Sequence, residues 1–386
     1  MSVMGSPPGA ETIIDGKPYL YFAGTGYLGL QGDPRVIEAG CEALRKYGVH
    51  TATSRGGFGD NPVTLEVERL AANFFGTEDA FYIATGYAGP TILTDQQVTF
   101  DLIAIDEHSH FASLDAARLA IEQSGGTLIR FRHGDADHLR ELLKAHAAAE
   151  PRVLVMCDGV SPVLGDVSPV RAYLSVINAL GAGPGAWAVA GAPGVGLVGD
   201  NGRGTIGLEA ADLESVLLCA TLSKALGGFG GIIPGSAKTI ARLKAGSSWY
   251  NGASAPPAAA AGATAKALEI VLAEPQLRQK LRGRQHRAAP SDLRQKLHAT
   301  VAYLKTGLRK LGLDVADTPV PIIPLQIGDA ANMRRIADEL KQRGLIIAYI
   351  ASYSGVGPEG CLRIAVFATH TTAMLDRLID GLRSVI

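Results

Sequence analysis

The sequence predicts an α/β protein: a large unit with a mostly parallel sheet covered by helices, then a smaller C-terminal α+β unit. The first observation behind this is a series of short, continuous apolar runs in the middle of the chain: "DAFYIATG" (79–86), "DLIAIDE" (101–107), "TLIRFRH" (127–133), "RVLVMCDGV" (152–160), "AWAVAG" (186–191), "SVLLCATLS" (215–223) and "GGIIPG" (230–235). Strands that are apolar on both sides belong in a sheet buried on both faces. The second is the amphipathic stretches between them, such as "LEVERLAANFFG" and "DADHLRELLKAHAAAE", which supply the covering helices. The third is a change of texture after residue 257. An Ala-rich helix "PPAAAAGATAKALEIVLAEPQLRQKLRGR" and a second helical run ending near "YLKTGLRKLG" lead into "VPIIPLQIG" (320–328), the helix "NMRRIADELKQRG" and the strands "LIIAYIASY" and "CLRIAVFA". The expected division is an N-terminal arm over 1–45, a large domain over 46–257, and a linker helix with a small C-terminal domain over 258–386. "LRQKL" occurs at 277–281 and again at 293–297, an echo too short to be a repeat, with Pro290 and Ser291 expected as a break and a helix N-cap between the copies.

Composition bounds the function. The chain has 386 residues, 47% hydrophobic and 19% charged, with a formal net charge of −1, which offers nucleic acid or an anionic membrane no electrostatic attraction. The basic stretch "RQKLRGRQHR" has no interleaved aromatics and reads as a solvated helix face. Cys41, Cys157, Cys219 and Cys361 are far apart, form no CxxC pair and read as reduced core thiols of a cytoplasmic protein; no metal site is expected. The N-terminus has no basic and then apolar leader pattern, and no run has the apolar length of a membrane span.

In a parallel sheet, ligands bind at the carboxyl ends of the strands, so the loops there carry the chemistry. "IATGYAGP" offers Gly86 and Tyr87 at a turn opening a helix, where backbone N–H groups suit a phosphate. "DEHSHFASLDAARLA" puts His108 and His110 just past a strand, where a histidine can stack on an aromatic ligand or simply hydrogen-bond within its loop. "CATLSKALGGFGG" places Thr221 and Ser223 just before Lys224, a lone amine between a buried strand and a glycine-rich stretch. Hydroxyls and a lysine there can hold a phosphate and form an imine; the competing reading is a solvated loop lysine. The glycines after Lys224 are expected to let a ligand approach the backbone closely. Together the three loops describe a site for a phosphorylated aromatic aldehyde.

These motifs, in this order, resemble the α-oxoamine synthases, pyridoxal-phosphate (PLP) enzymes of fold type I that include 8-amino-7-oxononanoate synthase, glycine C-acetyltransferase, 5-aminolevulinate synthase and serine palmitoyltransferase. The likeness runs from "YLYFAGTGYLGLQGDPRVIEAGCEALRKYG" to "CLRIAVFATHT" and includes "TEDAFYIATGY", "HFASLDAARL", "FRHGDADHL", "TLSKALGG" and "SAPPA". The resemblance implies Lys224 as Schiff-base lysine and His110 as the histidine stacked on the cofactor ring. It further implies Gly86, Tyr87, Thr221 and Ser223 as phosphate-side contacts, and Arg363 as the clamp on the substrate carboxylate. The implied reaction is a C-acyl transfer from an acyl thioester, such as acyl-CoA, to an amino acid, in a homodimer whose site uses both chains.

The sequence departs from that pattern around the cofactor ring. Where the family has an Asp-Asp-Ala-His-like tetrapeptide, this chain has Ala190, Gly191, Ala192 and Pro193; the ring-hydroxyl serine is Pro162, and Thr25 and Thr64 replace an asparagine and a histidine. A carboxylate beside the pyridine nitrogen keeps the ring protonated and electron-withdrawing, so Ala190 is expected to weaken carbanion stabilisation unless Asp158 or Asp166 compensates. The second reading is therefore a repurposed or degenerate relative, using Lys224 and His110 on an acyl thioester or acting as a pseudoenzyme subunit.

Overall fold

A computed structural model describes residues 2–95, 99–146, 152–179, 187–191, 194–205, 216–281 and 293–386. Five parallel strands form the centre, in the order Thr127–Phe131, Leu102–Asp106, Val153–Asp158, Trp187–Gly191 and Val216–Leu218. The chain continues past Cys219 into Ala220–Thr221, which pairs antiparallel with Gly231–Gly235, and that strand pairs antiparallel with Asp79–Ile83. Each of the seven expected strands is present, and the sheet is mostly parallel. Every residue of Leu102–Asp106 and Val153–Asp158 is buried, because helices such as Phe111–Ser124 and Val170–Ala179 cover the sheet and leave no face for polar alternation.

Small residues govern the helix packing. Pro34–Tyr47 lies along Ala258–Leu281, and a Cβ on Gly262 would sit 2.5 Å from the Ala43 Cβ and 2.8 Å from the Ala39 carbonyl oxygen. The Ala- and Gly-rich composition of the linker helix thus lets two helix backbones approach closely, and a larger side chain at Gly262 would force them apart. The expected break at Pro290 and Ser291 lies outside the described residues, as does most of the basic stretch around it.

In the C-terminal part, Ile322–Leu325, Cys361–Ala365 and Ala348–Ile350 form an antiparallel sheet flanked by Leu293–Lys310, Ala330–Gln342 and Thr372–Arg383. The expected single strand "LIIAYIASY" is divided: Leu345–Ile346 pairs in parallel with Lys17–Tyr21 of the N-terminal hairpin, while Ala348–Ile350 stays with the C-terminal sheet. Two sheets compete for the hydrogen bonds of one run, and the chain serves both by changing partner at Ile347. The N-terminal arm is therefore tied to the C-terminal part, as are Phe22 and Tyr27, whose carbonyls accept from the Ala365 and Ala368 N–H groups. Among the described residues, no helix is long and apolar enough to cross a membrane.

Candidate active site

The carboxyl ends of three strands meet at a cleft of about 180 Å³. Val153–Asp158 ends in Asp158; Leu102–Asp106 leads to His110; Ala220–Thr221 leads to Ser223 and Lys224. Thr85, Gly86 and Tyr87 form the opposite wall, and all of these residues line the cleft. The structure thus brings together Lys224, His110, Gly86, Tyr87, Thr221 and Ser223. Gly86 lies so close to Thr221 that a Cβ would sit 3.0 Å from the threonine Cβ, which explains a glycine at that turn.

His110 is the N-cap of Phe111–Ser124. Its Nδ1 accepts from the Ala112 N–H at 3.0 Å, so a neutral ring carries its proton on Nε2. Burial, and then the charge of Lys224, lower the pKa of His110 and favour the neutral form. Tyr87, Phe111 and Tyr353 meet the ring at interplanar angles of 74°, 62° and 59°, edge-on or tilted, so none of them stacks on its face. The loop reading and the stacking reading of His110 are therefore compatible: one ring edge caps the helix, and the residue also lines the cleft.

Lys224 has its backbone held by the Gln31 Nε2, which donates to its carbonyl at 2.6 Å, while its amine makes no hydrogen bond or ion pair with any described residue. Burial lowers the lysine pKa; the nearby Asp158 opposes that shift and Arg363 adds to it. Asp158 is 5% exposed, and burial pushes its carboxyl up to about 7 against the opposing pull of Lys224 and of the His110 N–H, which donates to Oδ2 at 3.0 Å. Both groups are pushed toward neutrality, as expected of an amine and a carboxyl withheld from water. Among the described residues, Asp158 is the acidic residue that lines this cleft.

Arg363 does not line the cleft; it is 6% exposed, in the buried strand Cys361–Ala365, and near enough for its charge to act on Lys224. Its Nε donates to the Pro162 carbonyl at 2.9 Å, one terminal nitrogen to the Gly24 carbonyl at 3.1 Å and the other to the Tyr27 hydroxyl at 2.8 Å. Among the described residues no carboxylate pairs with it, so a rim salt bridge does not account for this arginine. A buried guanidinium with neutral partners keeps two N–H donors and an uncompensated charge for an incoming anion. Pro162 contributes a carbonyl to this arrangement, and Thr64 is a fully buried helix residue that donates to the Asn61 side chain. Tyr27 lies in the N-terminal stretch that carries the resemblance but was given no role there, and Tyr353 was not singled out; they contact Arg363 and His110 respectively.

The glycines after Lys224 serve a purpose other than the expected one. Gly227 has φ +70°, and a Cβ there would lie 2.2 Å from the Leu30 Cβ; one on Gly228 would lie 2.6 Å from the Thr264 Oγ1. They admit neighbouring protein segments that fix the Lys224 turn, whereas the sequence reading expected them to admit a ligand. Thr221 and Ser223 donate their hydroxyls to the Gly230 carbonyl, each at 3.3 Å.

The profile of the aminotransferase class I and II family matches residues 20–382. The chain belongs to this family. An 8-amino-7-oxononanoate synthase from Chromohalobacter salexigens is 34% identical over 373 residues, 96% of this chain and 90% of the relative. A serine palmitoyltransferase from Sphingobacterium spiritivorum is 30% identical over 374 residues, 96% of this chain and 87% of that one. A solved serine palmitoyltransferase from S. paucimobilis, with bound PLP–myriocin aldimine, superposes with a TM-score of 0.87 at 23% identity, covering 100% of this chain and 92% of its own. At that identity the likeness speaks for the fold, which is fold type I of the PLP-dependent transferases, as the sequence resemblance implied. The relatives are two of the α-oxoamine synthases that the motifs resembled. Within this aminotransferase-family chain the residues present fit a phosphorylated aldehyde cofactor: a buried amine with no hydrogen-bond partner among the described residues, a histidine held toward its neutral form, two hydroxyls and a glycine turn line one cleft.

Proposed function

We propose that the protein is a PLP-dependent C-acyltransferase that condenses an amino acid with an acyl thioester, such as acyl-CoA, to an α-oxoamine. The observation that carries this reading is the desolvated Lys224 amine, without a hydrogen-bond partner among the described residues, lining one cleft with His110 and Asp158. The relatives named as 8-amino-7-oxononanoate synthase and serine palmitoyltransferase support the reaction class. Bound there, PLP supplies an aldehyde that combines with amines and a ring that withdraws electrons from the amino acid α-carbon.

The chain's own groups have separable tasks in this proposal. Lys224 would hold the aldehyde carbon through Nζ and, once displaced from it by the incoming amino group, would have a free amine of lowered pKa to move a proton to and from the α-carbon. His110 offers its ring face and orients the cofactor plane. Gly86, Tyr87, Thr221 and Ser223 hold the phosphate through N–H and hydroxyl donors, the two hydroxyls turning from the Gly230 carbonyl to do so. Arg363 binds the amino-acid carboxylate with its remaining N–H donors. The register places Ala190 between Cys157 and Leu218; its side chain lies outside the described residues. With no carboxylate in that residue, Asp158 is the acid that the described residues bring to the cleft.

The protein is further read as a cytoplasmic homodimer with the large domain over 46–257 holding the cofactor. No specific observation favours the alternative of a repurposed or degenerate relative. The deciding experiment is borohydride reduction of the PLP-loaded protein followed by peptide mapping. The pyridoxyl label is expected on Lys224 and absent in Lys224→Ala; a label on another lysine, or none, overturns the reading.

A further inference from the structure

Three neighbouring strands of the parallel sheet, Thr127–Phe131, Leu102–Asp106 and Val153–Asp158, are followed by loops that carry His133, His108 and Asp166. One potential ligand atom from each residue lies within 4.8 Å of the other two. The two imidazoles stand parallel, with ring centroids 4.3 Å apart and an interplanar angle of 14°. The Nδ1 of His133 is 2.9 Å and 3.0 Å from the two oxygens of Asp106, whose side chain is 1% exposed. Asp106 is itself fixed by the Tyr173 hydroxyl at 3.1 Å and by the His108 N–H at 2.9 Å. A buried carboxylate on one ring nitrogen leaves the other as a lone-pair donor of set direction, which is how ligating histidines are usually held.

A purely structural pair of histidines accounts for less of this. His133 is satisfied by Asp106, yet the buried Nδ1 of His108 has no hydrogen-bond partner among the described residues. The Asp166 side chain makes no hydrogen bond or ion pair there, although its backbone carbonyl accepts from Ser161. We propose that His108, His133 and Asp166 bind a divalent ion of the zinc class, with solvent completing its coordination. Two imidazoles and one carboxylate favour zinc, nickel or cobalt over magnesium, which takes oxygen ligands. Donors about 2.0–2.2 Å from one ion lie roughly 3.3–3.5 Å apart, so any pair has about 1.5 Å or less to close, and one imidazole must also turn out of the parallel stack, because ring-nitrogen lone pairs lie in the ring plane. The sequence reading expected no metal, since it weighed the dispersed cysteines; the histidines come together only in the fold. The ion would tie together loops that also carry His110 and Asp158. It would also tie in the turn at Gly355, where a Cβ would lie 2.4–2.6 Å from the His108 ring.

The test uses tag-free, PLP-loaded protein, dialysed against chelator and then titrated with zinc chloride by calorimetry at pH 7.5. One ion per chain with micromolar affinity is expected, with at least tenfold weaker binding in His108→Leu and in Asp166→Asn, and no comparable uptake of magnesium. Unchanged affinity in both variants, or the absence of saturable uptake, overturns the proposal. Should the variants fail to fold by circular dichroism, anomalous scattering at the zinc edge from wild-type crystals decides. A peak between the two imidazoles and Asp166 upholds the site, and a peak elsewhere or none removes it.

Discussion

Asp158 and Lys224 show how a single buried pair sets a pH dependence. The Asp158 carboxyl titrates near 7 in the folded chain because it is withdrawn from water, and near the ordinary 3.8 when unfolded. The folded state therefore keeps a proton that the unfolded state releases, and the stability this group contributes below pH 4 is lost as pH rises through 7. Lys224, lowered by the same burial, acts with the opposite sign: its contribution is present above the ordinary lysine value and declines as pH falls. Asp158→Asn keeps an acceptor for the His110 N–H and removes the ionisable group. Its melting temperature relative to wild type is expected to be higher at pH 8 than at pH 5, by roughly 2–6 °C, taking about 1.4 kcal/mol per pKa unit. Equal differences at the two pH values would show that the carboxyl is not desolvated in solution. At this scale Lys224, His110, Gly86, Tyr87, Thr221 and Ser223 were legible in the sequence, since each stands in a strand-end loop. Arg363 was named from the family resemblance as a carboxylate clamp; its burial among neutral partners is what the fold adds.

Turns and strand ends, more than strand interiors, separate expectation from structure at the level of elements. The strands of the parallel sheet and of the antiparallel set beside it follow directly from the seven apolar runs, because burial on both faces needs nothing beyond local sequence. The glycine turn after Lys224 obeys a different constraint: Gly227 combines φ +70° with a Cβ position 2.2 Å from Leu30. Gly227→Ala is expected to destabilise by about 2–4 kcal/mol, the sum of left-handed strain and overpacking. Gly252→Ala, where nothing lies within 4 Å of the added Cβ, is expected to melt close to wild type. Thermal unfolding of the two variants makes the comparison, and indistinguishable melting curves would mean that Leu30 yields without cost. "LIIAYIASY" was misread as one strand for a related reason: its apolar pattern is continuous, and its division depends on two partners from opposite ends of the chain.

The whole molecule ties its first and last segments together. The N-terminal hairpin pairs with Leu345–Ile346, and Tyr27 reaches Arg363 across 336 residues, so chain ends and site are built jointly. The proposed homodimer belongs to this scale as well. Phe58→Asp places a charge on an aromatic that is 95% exposed in the single chain. Sedimentation velocity is expected to show a dimer for wild type and a shift toward monomer for this variant. A wild-type monomer, or a variant dimer of unchanged affinity, would count against that face as the contact.

Local pattern alone determined the α/β class, the strands of the large sheet, the helices between them and the loops in which chemistry would sit, because hydrophobic period and strand-end position are properties of a few consecutive residues. The tertiary structure decided the rest. It gave the Lys224 glycines protein neighbours, surrounded Arg363 with carbonyls and a tyrosine hydroxyl, set Asp158 against Lys224, and stacked His108 on His133. Each of these depends on which distant segments meet in a shared, water-poor space, where the cost of an unpaired charge or an overlapping Cβ is set by neighbours that no local window of sequence contains.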